Sequence, residues 1–146
     1  MPLSFEASAE RVVVLPFDFS EPATNAMATA RAMVQTPAQL YLVHVIPPLE
    51  AASPGFLNAV VDLESLRSRV EEQLAKSIAA AGIGEVSTRI RVGDPATEIV
   101  DVAREVDAHV IVIPSHGKTG LRRWMIGSVA ERVVRLAHCP VLVLKD

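Results

Sequence analysis

Gly117, Gly127 and Ser128 mark the stretch of this chain whose residue types and spacing could do chemistry. The apolar, β-branched run Val110-Ile111-Val112-Ile113 ends in Pro114-Ser115-His116-Gly117. A basic stretch with Lys118, Arg122 and Arg123 follows, and Gly127-Ser128-Val129 then opens a helical pattern. Glycine lets a backbone approach a ligand with no side chain in the way. A helix N-terminus presents unpaired N–H groups and positive dipole to anions. A strand end, two glycines and a helix start together describe an anion cradle of the kind that takes a nucleotide phosphate.

Each of these residues also has a structural reading. Ser128-x-x-Glu131 matches a capping box, and phosphate binding would use the same N–H groups and hydroxyl, so the two readings are compatible. His116 suits either a phosphate donor or a turn residue. Lys118, Arg122, Arg123, Arg132 and Arg135 share their stretch with one acid, Glu131, and read equally as a phosphate-facing set or a solvated helix face. Asp18, at the end of another apolar run, suits a sugar hydroxyl, a base amino group or a magnesium ion, and equally a helix cap. Asp94 in Gly93-Asp94-Pro95 reads as turn chemistry. His44 reads as a satisfied core histidine, Cys139 as a buried structural thiol, and Trp124-Met125 as an exposed apolar patch or as core.

Other chemistries are set aside. The chain has no Walker A sequence, no Gly-x-Gly-x-x-Gly, no Gly-x-Ser-x-Gly elbow and no His-Glu-x-x-His pair. No general base stands beside the cradle, so catalysis is expected to be absent, or at most a slow nucleotide hydrolysis.

The elements that must position these residues are legible from periodicity. Strands are expected at Arg11–Phe17, Leu40–Ile46, Val86–Val92, His109–Ile113 and Val141–Leu144. The third alternates Val86, Thr88, Ile90 and Val92 with polar residues, which suits an edge. Between them, helices are expected after Ser20 (an N-cap candidate), over a long stretch carrying Leu63, Leu66, Val70, Leu74 and Ile78 inward, after Pro95, and over Ser128–Ala137. Residues 49–58, with Ser53-Pro54-Gly55, read as a loop. Strictly alternating β and α with near-continuous apolar strands implies α/β architecture: an open, doubly wound, five-stranded parallel sheet with helices on both faces. Ligands of such sheets bind beyond the strands' carboxyl ends, where strand order reverses.

Bulk properties agree. At 146 residues, half of them hydrophobic and 21% charged, the chain is one globular domain. Residues 1–10 are expected to be a flexible polar lead-in and 11–146 a single domain. A net charge of −3 disfavours a general nucleic-acid or membrane-surface binder. A single cysteine leaves no internal disulfide framework. Neither a signal-peptide pattern nor a bilayer-spanning apolar stretch is visible, so a cytoplasmic location is expected.

Four matches in order resemble the universal stress protein family: Leu15-Pro16-Phe17-Asp18-Phe19-Ser20-Glu21; Leu42-Val43-His44-Val45-Ile46; Val92-Gly93-Asp94-Pro95-Ala96-Thr97-Glu98-Ile99; and Ser115-His116-Gly117, nine residues, Gly127-Ser128-Val129, running on to Cys139-Pro140-Val141-Leu142-Val143-Leu144. The resemblance spans Val12 to Lys145. It implies a Rossmann-like sheet of order 3-2-1-4-5, of the adenine nucleotide alpha hydrolase kind, and a homodimer formed through the fifth strand, Val141, Leu142, Val143 and Leu144. It also implies a stress-response regulator that binds ATP or another adenine nucleotide, with Mg2+ as an accompanying ion. The implied site comprises Pro16, Phe17, Asp18, Val45, Pro114, Ser115, His116, Gly117, Gly127, Ser128 and Val129. Within it Asp18 would meet ribose or base, Val45 would pack on adenine, and Gly117, Gly127, Ser128 and the Val129 N–H would surround phosphates. One position departs from the family pattern: Pro114 stands where its first glycine would be, removing an N–H and adding ring bulk. That departure motivates the alternative, a nucleotide-free dimeric interaction module that recruits a protein partner through Trp124-Met125.

Overall fold

Strand β1 (Val13–Pro16) lies at the centre of a five-stranded, all-parallel sheet. The computed structural model describes residues 6–48, 59–117 and 126–145. Along the chain, β1 is followed by α1 (Glu21–Ala32), a 3-10 turn (Pro37–Gln39), β2 (Leu40–Ile46), α2 (Ala59–Ala81) and β3 (Ser87–Val92). Then come α3 (Pro95–Glu105), β4 (Val110–Pro114), α4 (Ser128–Leu136) and β5 (Val141–Leu144). The strand order is β3-β2-β1-β4-β5. The alternating β3 is an edge strand, with no fully buried residue.

Strand residues alternate between two cores, as a pleated sheet requires. Val13, Leu15, Leu40, Leu42, Val110 and Val112 pack under α1 and α2, with Met27, Val70 and Leu74. Val14, Val43, Ile111 and Ile113 pack on the opposite face, with Ile99, Val100 and Ala103 of α3 and Ala130 and Val133 of α4. Of the expected inward residues of α2, Val70 and Leu74 are buried in this core with Leu66 and Ile78 packed against it, while Leu63 is not part of it. Gly82, at φ +64°, takes the left-handed position that ends α2.

The helix starts follow local rules. The Ser20 hydroxyl caps α1 by accepting from the Ala23 N–H at 3.2 Å. Asp94 caps α3 by accepting from the Thr97 N–H and hydroxyl. Residues of the lead-in are tied down as far as Ser8, because the Gln39 side-chain amide donates to the carbonyls of Ser8, Ala9 and Arg11. Cys139 is half-buried at the second core, and desolvation raises its pKa.

The central pairing explains where a cleft opens. Strands β1 and β4 pair only through Val13↔Val110 and Val14↔Ile111. Beyond that point each follows its outer neighbour: Phe17 N–H donates to Val43 O and Ser115 N–H to Leu144 O, both at 2.8 Å. The two central strands therefore diverge at their carboxyl ends.

Candidate functional site

A cavity of about 500 Å3 lies at that divergence, inside the roughly 300–1,000 Å3 range of small-molecule sites. All eleven residues singled out in the sequence line it. Pro16, Phe17 and Asp18 come from the end of β1 and Val45 from β2. Pro114, Ser115, His116 and Gly117 come from the end of β4, and Gly127, Ser128 and Val129 from the start of α4.

Asp18 is held in place by its neighbours. Its Oδ1 accepts the Ser20 N–H at 2.9 Å. Helix capping thus falls to Ser20 and leaves Asp18 as a turn-braced carboxylate. The other oxygen, Oδ2, lies directly over Gly117: a Cβ there would sit well inside the 3.0 Å that real Cβ atoms keep from other heavy atoms. A side chain at position 117 would therefore push the Asp18 carboxylate aside, whatever ligand comes near.

The start of α4 differs from the sequence expectation in two ways. Ser128 is not the N-cap; that position is Gly127, and no side chain caps the helix. The expected capping box does not form, because the Glu131 carboxylate turns to Arg135 at 2.7 Å, one helical turn along. The Gly127 N–H, expected to face phosphate, instead donates to Ser115 O. The first intrahelical bond runs from Glu131 N–H to Gly127 O. This leaves the N–H groups of Ser128, Val129 and Ala130 as the orphan donors of the helix, and all three residues line the cavity.

Ser115 is the other notable group. The residue is 2% exposed, its backbone N–H and C=O are both engaged, and its buried Oγ has no hydrogen-bond partner among the described residues. Burying an unpaired hydroxyl costs about 1–3 kcal/mol, so this oxygen is suited to a ligand.

Several charges turn away from the cavity. Arg132 pairs with Asp94 at 2.7 Å, linking α4 to the cap of α3. This guanidinium, with the two bonds from Thr97, holds the Asp94 carboxyl well below the usual range. Arg132 and Arg135 thus belong to the helix face. Lys118, Arg122, Arg123 and the Trp124-Met125 pair lie outside the described residues, as do residues 49–58, where a loop is expected. His44 is satisfied as expected, its Nδ1 2.8 Å from Phe17 O, yet it also lines the cavity.

Sequence reasoning missed further walls. Phe19, Pro47, Leu66, Val70 and Gln73 line one side, and Pro95, Ile99 and Ile113 the other. The helical stripe of α2 marked Leu66 and Val70 as inward. It carried no signal for which turn of a 23-residue helix meets the strand ends.

The fold and the position of its cavity define a doubly wound α/β protein. The chain belongs to the universal stress protein family, whose model matches residues 10–145. It is 35% identical over 137 residues to universal stress protein MJ0531 of Methanocaldococcus jannaschii, covering 91% of this chain and 81% of that one. The solved structure of protein MJ0577, from the same organism, superposes with a TM-score of 0.80 at 30% identity, covering 95% of this chain and 98% of its own. A universal stress protein from Archaeoglobus fulgidus, solved in complex with dAMP, shares the fold at a TM-score of 0.62 and 24% identity. It covers 94% of this chain, and all of that chain is matched. No helix among the described residues is long and apolar enough to cross a membrane.

Proposed function

We propose that this protein binds an adenine nucleotide, ATP being the first candidate, in the cavity between the carboxyl ends of β1 and β4. The observation that carries this reading is the meeting of three features in one cavity: the orphan N–H groups of α4, the unpaired Ser115 hydroxyl and the braced Asp18 carboxylate. The α4 N-terminus takes phosphate, Asp18 accepts from ribose or base, and Val45 packs on the adenine. The dAMP complex of the Archaeoglobus relative supports the same ligand class. A magnesium ion fits only as a phosphate-borne ion touching Asp18. No group of three or more His, Cys, Asp or Glu side chains that could hold a metal occurs among the described residues, and Mg2+ is usually held by one or two carboxylates plus phosphates.

The protein acts in this reading as a cytoplasmic, nucleotide-responsive homodimer. β5 is an edge strand, half-exposed throughout, and Val134 and Leu136 of α4 are exposed. An unpaired apolar edge invites strand pairing with a second copy. The purified protein is denatured and its supernatant analysed for released nucleotide; ATP, ADP and AMP are then titrated by calorimetry with magnesium. Released adenine nucleotide and a saturable heat are expected. An empty supernatant with no heat at millimolar nucleotide would remove the reading in favour of a nucleotide-free interaction module, which Pro114 favours by lacking an N–H at the cavity wall. Light scattering checks the dimer, with Val143→Arg expected to give monomer.

A further inference from the structure

We infer that the cavity has a second compartment, on the α1/α2 face of the sheet, which takes a flat aromatic group carrying one hydrogen-bond donor. Apart from Phe17, the residues implied by the family resemblance do not account for this part of the lining. Alternation along β2 places Leu42 and Ile46 in the core under α1 and α2 and Val43 in the opposite core. His44 therefore shares a face with Leu42, and Val45 lies on the other. Phe19, Leu66 and Val70, all packed with the α1/α2 core, line the same cavity as His44.

The chemistry of this compartment follows from one hydrogen bond. The Phe17 carbonyl can only accept, so the His44 Nδ1, 2.8 Å away, carries the proton. In the neutral ring Nε2 is then a bare lone pair, and it has no hydrogen-bond partner among the described residues. Phe19, Leu66 and Val70 make this part of the lining aromatic and aliphatic, with Gln73 on the same side. The Phe19 ring stands 5.0 Å from the His44 ring and 5.1 Å from the Phe17 ring, edge-on to the latter. Phe19 holds that position at φ +64°, a left-handed conformation that bulky residues rarely adopt. The strain keeps an aromatic wall at the cavity where a relaxed turn would not place one. A mainly apolar slot that offers an imidazole acceptor favours a flat ring carrying an N–H or O–H.

The test uses para-fluorophenol and para-fluoroanisole, which share a ring and differ in the donor, each titrated by fluorine NMR and by amide shifts of the labelled protein. The phenol is expected to bind about fivefold more tightly than the anisole, as one neutral hydrogen bond implies, and to shift Phe19, His44, Leu66 and Val70. His44→Phe keeps the ring and erases the preference. Leu66→Trp fills the slot and abolishes both titrations, which covers the case of a poorly folded His44 variant. Saturating AMP leaves the phenol bound. Equal affinity for the two probes, probe binding that survives Leu66→Trp, or displacement by AMP would each overturn the inference. Because the probe titrations need no nucleotide, a failure of the nucleotide reading leaves this test standing.

Discussion

Replacing Gly117 by alanine puts a methyl group where the Asp18 carboxylate now lies. The added Cβ would fall well inside 3.0 Å of Oδ2 and 3.3 Å from Cγ. Neither partner yields easily: Asp18 is anchored through Oδ1 to the Ser20 N–H, and Gly117 sits two residues beyond Ser115, which is bonded to both Leu144 and Gly127. The carboxylate must swing away by roughly 1 Å, enough to break an aligned hydrogen bond to a ligand. A hydrogen bond to a charged group contributes about 1.5–3 kcal/mol, so Gly117→Ala should weaken adenine-nucleotide binding about 10- to 100-fold. The assay is calorimetric titration of wild type, Gly117→Ala, Asp18→Ala and the double variant, with circular dichroism to confirm native folding. If Gly117 acts by leaving room for Asp18, the double variant binds no worse than Asp18→Ala. Fully additive losses would refute that reasoning, because they would mean that Gly117 serves the ligand directly.

Three other outcomes follow from the same geometry. Ser115→Ala removes an unpaired buried hydroxyl; the ligand-free protein should be as stable as wild type or more so, while nucleotide affinity falls several-fold, read by thermal melts and calorimetry. Asp94→Asn keeps the cap of α3 but loses the charge facing Arg132. The folded carboxyl titrates below its unfolded value, so its stabilisation is present above about pH 4 and fades as pH falls further. The difference in melting temperature between wild type and Asp94→Asn should therefore be largest near neutrality and shrink below pH 4; a constant difference would contradict the pairing. Leu15→Ala opens a cavity at a fully buried position of β1 and should cost about 2–5 kcal/mol in denaturant unfolding.

How much of this was legible in advance varies with the range of the forces involved. The Val12-Val13-Val14-Leu15 run announced a strand buried on both faces, and β1 is the centre of the sheet. The alternation at Val86–Val92 announced an edge, and β3 is one. Ser20 acted as the expected cap because capping depends on residues three positions apart, whereas Asp94, read as turn chemistry, proved to be a cap as well. Ser128 misled for an instructive reason. The pattern Ser-x-x-Glu was present, but Gly127, bonded through its N–H to Ser115 O, took the cap position in place of Ser128. Glu131, left with no cap to complete, turned to Arg135.

The sequence by itself determined the strands, the helices, their alternation and the two segments that flank the cavity, because hydrophobic period, caps and glycine placement are local properties. Only the tertiary structure decided that Asp18 lies over Gly117, that Arg132 reaches Asp94 rather than a ligand, and that His44, Phe19 and Leu66 share a wall. Those relations join elements distant along the chain. They arise from the divergence of β1 and β4 beyond Val14 and Ile111, a consequence of strand order and packing that no spacing of residues along the chain encodes.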